Sequence, residues 1–176
     1  EMDQSNSVGS GDKANLLLPA PQRKLMEIVA KTGKPVILIN MTGSAMDLRF
    51  AEENFSAVVQ GWYPGARGGK AIAELLFGKY SFSGKLPVTF YNDSDELPAF
   101  TDYAMENRTY RYFTGGVLYP FGYGLTYGKT EVTKAEMRDD GEHYTITATV
   151  KNEGCAVHEV LQVYVRDNES KFAVRN

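Results

Sequence analysis

The side chains that could take part in catalysis are few and lie far apart in the sequence. Ser44 stands in a Gly-Ser-Ala turn, and the two histidines, His143 and His158, lie in strand-like surroundings. A nucleophilic serine requires a base, a group that orients the base and an oxyanion hole, and the turn at Ser44 lacks the G-x-S-x-G pattern of a nucleophile elbow. Neither histidine has cysteine or carboxylate neighbours at metal-ligand spacing. Acyl transfer and a metal site are therefore not predicted.

Two other groups of residues could form binding sites. Gly65, Gly68 and Gly69 precede a helical pattern, and helix N-termini attract anions. Their spacing matches neither the dinucleotide-binding pattern nor the P-loop pattern, so we interpret them as a tight turn before a helix. A set of aromatic residues could stack on sugar rings or pack a connector between domains, and packing is the preferred interpretation. The set comprises Tyr119, Phe121, Tyr123 and Tyr127.

The elements that must position these residues are of the α/β type in the first half of the chain. Between residues 19 and 91 helical and strand patterns alternate, which is typical of βα units and a largely parallel sheet. The β-branched run at 35–41 indicates a strand covered on both faces, whereas Pro87 favours an edge strand over 86–91. A further strand is predicted over 56–60, and helices are predicted from Pro19 to Gly33, over 46–53 and over 69–77.

A different periodicity begins after Lys129. Apolar and polar residues alternate, which predicts half-buried antiparallel strands over 132–138, 144–151 and 161–166, with a turn at 152–154. An immunoglobulin-like sandwich needs about seven strands, so about three strands predict an incomplete domain. We therefore expect the chain to be part of a longer protein.

The composition excludes several classes of partner. The chain has 176 residues with 43% hydrophobic and 23% charged residues, the balance of a globular protein. Its 19 basic and 22 acidic residues form no basic stripe, so no nucleic acid partner is predicted. The longest apolar run near a terminus, at residues 16–18, is far too short to span a membrane. Cys155 is the only cysteine and therefore indicates no cellular compartment.

Four ordered motifs resemble family 3 glycoside hydrolases. They are WYPGARGGKAIAELLFG at 62–78, SFSGKLPVTF at 81–90, YRYF with LYPFGYGLTY between 110 and 127, and HEVLQVYV at 158–165. The resemblance implies a three-layer α/β sandwich domain with a largely parallel sheet, followed by a partial fibronectin type III-like β-sandwich. The boundaries expected are 1–92 for the α/β sandwich, 93–128 for the connector with the YPFGYGL motif, and 129–176 for the first fibronectin-like strands.

The resemblance also implies a chemistry, that of a retaining exo-β-glycosidase acting on a terminal glucose or xylose. Such an enzyme needs two carboxyl groups roughly 5–5.5 Å apart. In this family the nucleophilic Asp belongs to an N-terminal barrel domain of the same protein, and the acid/base Glu precedes a D-R pair and an LLLP run. The expected partners are thus a glycoside or oligosaccharide substrate and that barrel, with no metal and no cofactor.

The sequence departs from the family pattern where the acid/base residue is expected. Ser7 and Gly9 stand where glutamates are expected, and neither a hydroxyl nor a hydrogen can act as a general acid near neutral pH. Deliberate alteration, natural loss of the catalytic group and a shifted alignment are all open explanations. Asp12 is a weak candidate for a substitute acid. Asp12 and Lys13 match the D-R pair that lines the sugar pocket, although lysine lacks the bidentate fork of arginine.

Two alternatives of another class remain beside the enzyme. The chain could be a carbohydrate-binding module without chemistry, or a structural module between domains, because the expected glutamates are absent. In either case we expect the isolated chain to be inactive as a glycosidase.

Overall fold

The computed structural model describes residues 15–99 and 101–165, which fall into two units. The first unit takes in the described residues up to Gly68, together with Leu86–Tyr123 and residues 164–165. The second unit takes in Gly69–Lys85 and Gly124–Val163.

The first unit begins with a βα arrangement around a parallel strand pair. Helix α1 (Ala20–Ala30) has Pro19 at its N-cap and Pro21 in its first turn, where a proline loses no helical hydrogen bond. Strand β1 (Ile37–Asn40) and strand β2 (Ala57–Gln60) pair in parallel, with Ile37 opposite Ala57. Helix α2 (Arg49–Asn54) provides the crossover that a parallel pair requires. These elements confirm the predicted alternation of helices and strands, but β1 is not covered on both faces as expected, because Ile37 and Ile39 are exposed.

A short antiparallel pair completes the ordered elements of this unit. Strand β3 (Phe90–Tyr91) pairs with strand β4 (Val117–Tyr119), and the four-residue helix α4 (Thr109–Tyr112) lies between them in sequence. The strand predicted over 86–91 was therefore too long. Its first residue is hydrogen-bonded instead to a turn, since the Leu86 amide donates to the Tyr123 carbonyl and Pro87 has no N–H to continue a ladder.

The core of the first unit joins the βα part to the antiparallel pair. Its fully buried side chains are Met46, Leu48 and Phe90. The helix predicted over 46–53 begins only at Arg49, and Met46 and Leu48 are buried from the loop that precedes it. The other buried apolar residues are Leu18, Met26, Ala51 and Tyr119.

The second unit contains a helix and a long β-hairpin. Helix α3 (Gly68–Leu76) leads into it, and strands β5 (Lys129–Asp139) and β6 (Tyr144–Glu153) pair antiparallel with a bulge between Val132 and Lys134. Gly141 turns the hairpin with a φ of 87°, a conformation that side chains disfavour. Two of the three expected strands are thus confirmed, but nearly all of their residues are exposed, so the predicted half-burial is not found in this chain.

Two predictions for this half of the chain were wrong. Strand β6 continues through Glu153, so the turn expected at 152–154 begins only at Gly154. Residues 161–165, the described part of the strand expected over 161–166, are not in a strand. Among the described residues, no helix combines the length and apolar character that crossing a bilayer requires.

Candidate functional site

The residues that the family resemblance assigns to catalysis and sugar binding are all in the N-terminal segment of the chain. Ser7, Gly9, Asp12 and Lys13 all lie outside the described residues. The site is therefore built from the carboxyl ends of β1 and β2, because open α/β sheets bind ligands outside the carboxyl ends of their strands.

A buried polar network fixes the two loops at this edge. Asn40 ends β1, and its Nδ2 donates to Thr42 Oγ1 at 3.0 Å and to Gln60 Oε1 at 2.6 Å. Gln60 ends β2, and its Nε2 donates to the Thr42 carbonyl at 3.1 Å. The Thr42 hydroxyl donates to the Ser44 carbonyl at 2.9 Å. Asn40 and Thr42 are buried, so these hydrogen bonds offset the cost of removing their polar groups from water.

An aromatic pair follows directly after β2. Trp62 has a φ of 52°, which is rare for a bulky side chain, and its ring makes an edge contact with Phe90 at 6.2 Å between centroids. The ring of Tyr63 lies so close to Gly43 that a Cβ added there would be 2.5 Å from Tyr63 Cε2. The two loops therefore meet through Gly43 and Tyr63.

A cavity of about 400 Å³ lies between α1, α2 and the loop after β1. Arg49 forms a bidentate ion pair with Asp47 there. Its Nε donates to Oδ1 at 2.9 Å and its Nη2 donates to Oδ2 at 2.6 Å. The Asp47 amide also donates to the Leu16 carbonyl at 2.7 Å. Apolar and charged residues both line it; they are Leu17, Leu18, Arg23, Met26, Glu27, Asp47, Arg49, Phe50 and Glu53.

The charge of Asp47 is stabilised in this position. Burial alone would raise the pKa of its carboxyl, but the side-chain and backbone hydrogen bonds from Arg49 outweigh burial and hold the pKa below its ordinary value. Asp47 is consequently an ionised anchor for the loop. A group that stays ionised in this way is a poor general acid.

A second carboxylate ties helix α2 to the antiparallel pair. The hydroxyl of Tyr119 donates to Glu52 Oε2. Burial, reinforced by this hydrogen bond to a carboxylate, raises the pKa of Tyr119. The Tyr119 ring packs on the rings of Phe90 and Tyr123. The phenol is thus a neutral donor in the core.

The predicted aromatic set is mostly engaged in packing. Phe121 stacks on Tyr110 at 4.2 Å and Tyr119 on Tyr123 at 5.1 Å between ring centroids. Tyr127, in the second unit, contacts Phe82 edge-on. These contacts match the packing interpretation rather than four rings open to a sugar.

The remaining sequence candidates have structural roles. Gly68 is buried, and a Cβ there would lie 2.3 Å from Pro64 Cβ, while its amide donates to the Gly65 carbonyl. The tight-turn interpretation is therefore the one the geometry supports. His143 lies at the exposed tip of the hairpin, 3.9 Å from Asp140. Within residues 15–99 and 101–165, no three His, Cys, Asp or Glu side chains come together as metal ligands.

In the second unit, one ion pair connects three segments. Lys85 Nζ lies 2.8 Å from Glu159 Oε1 and donates to the Gly124 carbonyl at 2.6 Å. Glu159 also accepts from the Thr130 hydroxyl and from the Val160 amide, both at 2.9 Å. The hydrogen bond from Lys85 is the main cause that lowers the pKa of Glu159. Lys85 and Glu159 therefore link the segment that ends at Lys85 to Gly124 and to Thr130 of β5.

Comparison with known proteins identifies the family. The sequence profile described as the glycosyl hydrolase family 3 C-terminal domain matches residues 2–127. The chain belongs to glycosyl hydrolase family 3. It is a C-terminal region of such a protein, as the motifs at 62–78 and 81–90 predicted.

The relatives of this family 3 chain are glycoside hydrolases. It is 44% identical over 160 residues to a xylan 1,4-beta-xylosidase of Xylanibacter ruminicola, covering 89% of this chain and 18% of that protein. It is 33% identical to a periplasmic beta-glucosidase of Salmonella typhimurium, covering 90% of this chain and 23% of that protein. The chain thus spans about a fifth of the length of these curated relatives.

Solved structures of family 3 enzymes share the fold. Beta-glucosidase 3B from Thermotoga neapolitana, in complex with alpha-D-glucose, superposes with a TM-score of 0.72 at 26% identity, covering 80% of this chain and 22% of that one. A family 3 exo-beta-xylosidase superposes with a TM-score of 0.65 at 30% identity, covering 70% and 17%. The mixed helices and sheets of this chain are therefore those of a family 3 C-terminal region.

Sequence reasoning missed the polar network and the Gly43–Tyr63 contact. A signal for the network was present, because Asn40 and Gln60 are polar residues at the ends of two apolar strands. The sequence around Tyr63 contains no pattern that predicts its contact with Gly43. Its contact with Gly43 depends on the parallel register, which brings the two strand ends side by side.

Proposed function

We propose that this chain forms the C-terminal part of a retaining exo-β-glycosidase that removes a terminal β-linked glucose or xylose from an oligosaccharide or plant glycoside. The observation that supports this most directly is the match of residues 2–127 to the family 3 C-terminal domain, with relatives named as a xylosidase and a glucosidase. The parallel pair β1–β2 is consistent with it, because its carboxyl edge is where such a sheet would face a ligand.

The architecture proposed with this function has three parts. Residues 1–92 belong to a three-layer α/β sandwich, 93–128 form the connector, and 129–176 begin a fibronectin type III-like β-sandwich. The alternating residues of β5 and β6 support the last part, because one face of the hairpin is apolar and the other polar. A barrel domain of the same protein would provide the other side of the sugar pocket.

In the proposed mechanism the two catalytic carboxyl groups come from different domains. One attacks the anomeric carbon from the barrel, and the other protonates the leaving oxygen and later deprotonates water. The second group is expected at Ser7 or Gly9, where this chain has no carboxyl, so Asp12 is the candidate substitute. Asp12 and Lys13 would contact the sugar. No metal or cofactor takes part.

Hydrolysis of p-nitrophenyl β-glucoside and β-xyloside tests this proposal in two forms of the protein. The 176-residue chain alone should release no p-nitrophenol, because it lacks the nucleophile. A longer product of the same reading frame, extended through its upstream domain, should release it. Clear turnover by the pure 176-residue chain, or none by the longer protein and its glutamate variants, would contradict the proposal.

The acid/base position is tested by restoring a carboxyl group in the longer protein. We expect Gly9→Glu or Ser7→Glu to accelerate cleavage of xylobiose or cellobiose, whose sugar leaving groups need a proton, by at least about a hundredfold. Cleavage of the p-nitrophenyl glycosides should change less, since p-nitrophenolate leaves without protonation. Asp12→Asn tests whether Asp12 is the substitute acid. The substitution should abolish the residual cleavage of the disaccharide only if Asp12 donates the proton.

A non-catalytic carbohydrate-binding or inter-domain module is the second candidate. It is favoured by the serine and glycine at the expected acid/base positions. In that case the longer protein would bind xylo- or cello-oligosaccharides without cleaving them, and Gly9→Glu would not confer hydrolysis. A structural module would bind none of them.

A further inference from the structure

The carboxyl edge of β1 and β2 carries an aromatic ring that the packing of the first unit leaves largely open. Tyr63 follows β2 by three residues, and 63% of its surface is exposed. A large aromatic side chain usually contributes to stability by burial, and Tyr63 contributes little in this way. The ring is therefore available for a contact with a group outside the first unit.

The position of this ring is nevertheless fixed by its surroundings. The preceding residue, Trp62, adopts a φ of 52°, and such strained backbone is retained mainly at functional sites. The ring lies directly over Gly43, where any side chain would collide with Tyr63 Cε2. At the same strand ends, Asn40 and Gln60 are joined through hydrogen bonds of 2.6 to 3.1 Å with each other and with Thr42. The ring is presented on a rigid support.

We propose that Tyr63 is a stacking platform for a neutral sugar ring of the glycoside substrate. This inference rests on the proposed glycosidase function and assigns a sugar-binding residue to this edge of the sheet. The apolar C–H face of a pyranose fits a flat aromatic ring, and stacking needs no charged partner. An anion is a poorer fit, because the Gly68 amide in the following turn already donates to the Gly65 carbonyl.

The test uses the single tryptophan of the chain as a reporter. Trp62 adjoins Tyr63, so a sugar that stacks on Tyr63 should change the fluorescence of Trp62. We expect saturable titration of the 176-residue chain with xylotriose or cellotriose in the millimolar range. Tyr63→Ala should weaken binding about tenfold, whereas Tyr63→Phe should bind like the wild type because the ring and not the hydroxyl makes the contact.

Two further variants separate a binding role from a structural one. Gly43→Ala keeps Tyr63 but displaces its ring, and should weaken binding as Tyr63→Ala does. Tyr103→Ala removes another ring of the first unit, one that is 87% exposed and far from the strand ends in sequence, and should leave binding unchanged. Circular dichroism and the thermal midpoint check that each variant is folded. A wild-type chain that binds no sugar, a Tyr63→Ala variant that binds normally, or tighter binding of free p-nitrophenol than of either trisaccharide would overturn the inference.

Kinetics of the longer protein separate this inference from the proposed function. Tyr63→Ala should raise KM for xylotriose or cellotriose about tenfold. If the enzyme hydrolyses these substrates and the variant leaves their KM unchanged, the Tyr63 inference fails and the glycosidase function stands. If the longer protein and its glutamate variants hydrolyse nothing, the proposed function fails, while binding of sugar at Tyr63 in the 176-residue chain is decided independently by fluorescence.

Discussion

Gly68 and Gly69 are adjacent at the start of α3 but have different surroundings. A Cβ at Gly68 would lie 2.3 and 2.7 Å from the Pro64 ring, whereas a Cβ at Gly69 would meet no atom within 4 Å. Gly68→Ala should therefore destabilise the first unit by about 1–3 kcal/mol, because the proline ring cannot move without its backbone. Urea unfolding followed by Trp62 fluorescence measures the change.

Gly69→Ala is the matched control, since it adds the same atom one residue further into the helix. It should be neutral or stabilising by up to about 1 kcal/mol, because alanine restricts the unfolded chain and favours the helix. Equal destabilisation by both substitutions would contradict the contact between Gly68 and Pro64. Equal tolerance of both would contradict it too.

Asp47 gives a prediction about pH. Its pKa is held below the ordinary value of 3.8, so its contribution to stability is present above that value and is lost as the pH falls through the lower pKa of the folded state. Asp47→Asn should lower the free energy of unfolding by about 1 kcal/mol at neutral pH, because hydrogen bonds with Arg49 are lost. The difference from wild type should shrink only below pH 3.8.

Glu27→Gln is the control for Asp47→Asn. The pair of Glu27 with Lys24 is exposed on α1, and exposed pairs contribute about 0–1 kcal/mol, so little change is expected at any pH. Urea unfolding between pH 3 and 7, followed through Trp62, measures both variants. A difference for Asp47→Asn that grew on acidification would contradict the assigned direction of its pKa.

The helices and strands of the first half were predictable because their signals are local. Pro19 fixed the start of α1, and β-branched runs fixed β1 and β2 to within a few residues. The strand expected at 86–91 and the strand expected at 161–166 were not predictable in the same way. A strand exists only where a neighbour pairs with it, and the sequence around Leu86 or Leu161 does not specify that neighbour.

The segments of the second unit depend on an ion pair that lies between elements. Lys85 and Glu159 are 14% and 25% exposed, and each has further hydrogen-bond partners in other segments. Lys85→Met should lower the protection of the β5 and β6 amides against hydrogen exchange by the equivalent of about 1–2 kcal/mol. Because the pKa of Glu159 is lowered, this stabilisation should be present above its ordinary value of 4.5 and lost as the pH falls further.

Lys134→Met is the matched control in the same unit. Lys134 pairs with Glu136 at 2.6 Å, but both side chains are 61% exposed, so the pair should contribute about 0.5 kcal/mol or less. Hydrogen exchange of the hairpin amides should be nearly unchanged in this variant. If both lysine variants had the same effect, Lys85 would be no more than another surface charge.

At the scale of the whole molecule, the sequence predicted family and fold class better than it predicted a site. Motifs such as those at 62–78 and 81–90 are local and survive in any fragment that contains them. The proposed sugar pocket would be formed by residues of two domains, and the chain spans about a fifth of the length of its curated relatives. The sequence did not predict that Asn40 and Gln60 lie side by side at the carboxyl ends of β1 and β2, because that contact depends on the parallel register.

Substitutions on the two faces of the β5–β6 hairpin test whether the second unit belongs to a larger β-sandwich. Ile146 and Met137 face each other on its apolar side, and both are exposed in this chain. Ile146→Thr should therefore cost the 176-residue chain less than about 0.5 kcal/mol, since threonine retains the strand preference and little packing is lost. In a longer protein that completes the fibronectin-like sandwich, a second sheet would cover this face and the same substitution should cost about 1–3 kcal/mol.

Thr147→Ala, on the polar face, should cost little in both proteins. Hydrogen exchange of the β5 and β6 amides measures the loss of stability in both proteins. An equally small effect of Ile146→Thr in the two proteins would contradict the proposed sandwich.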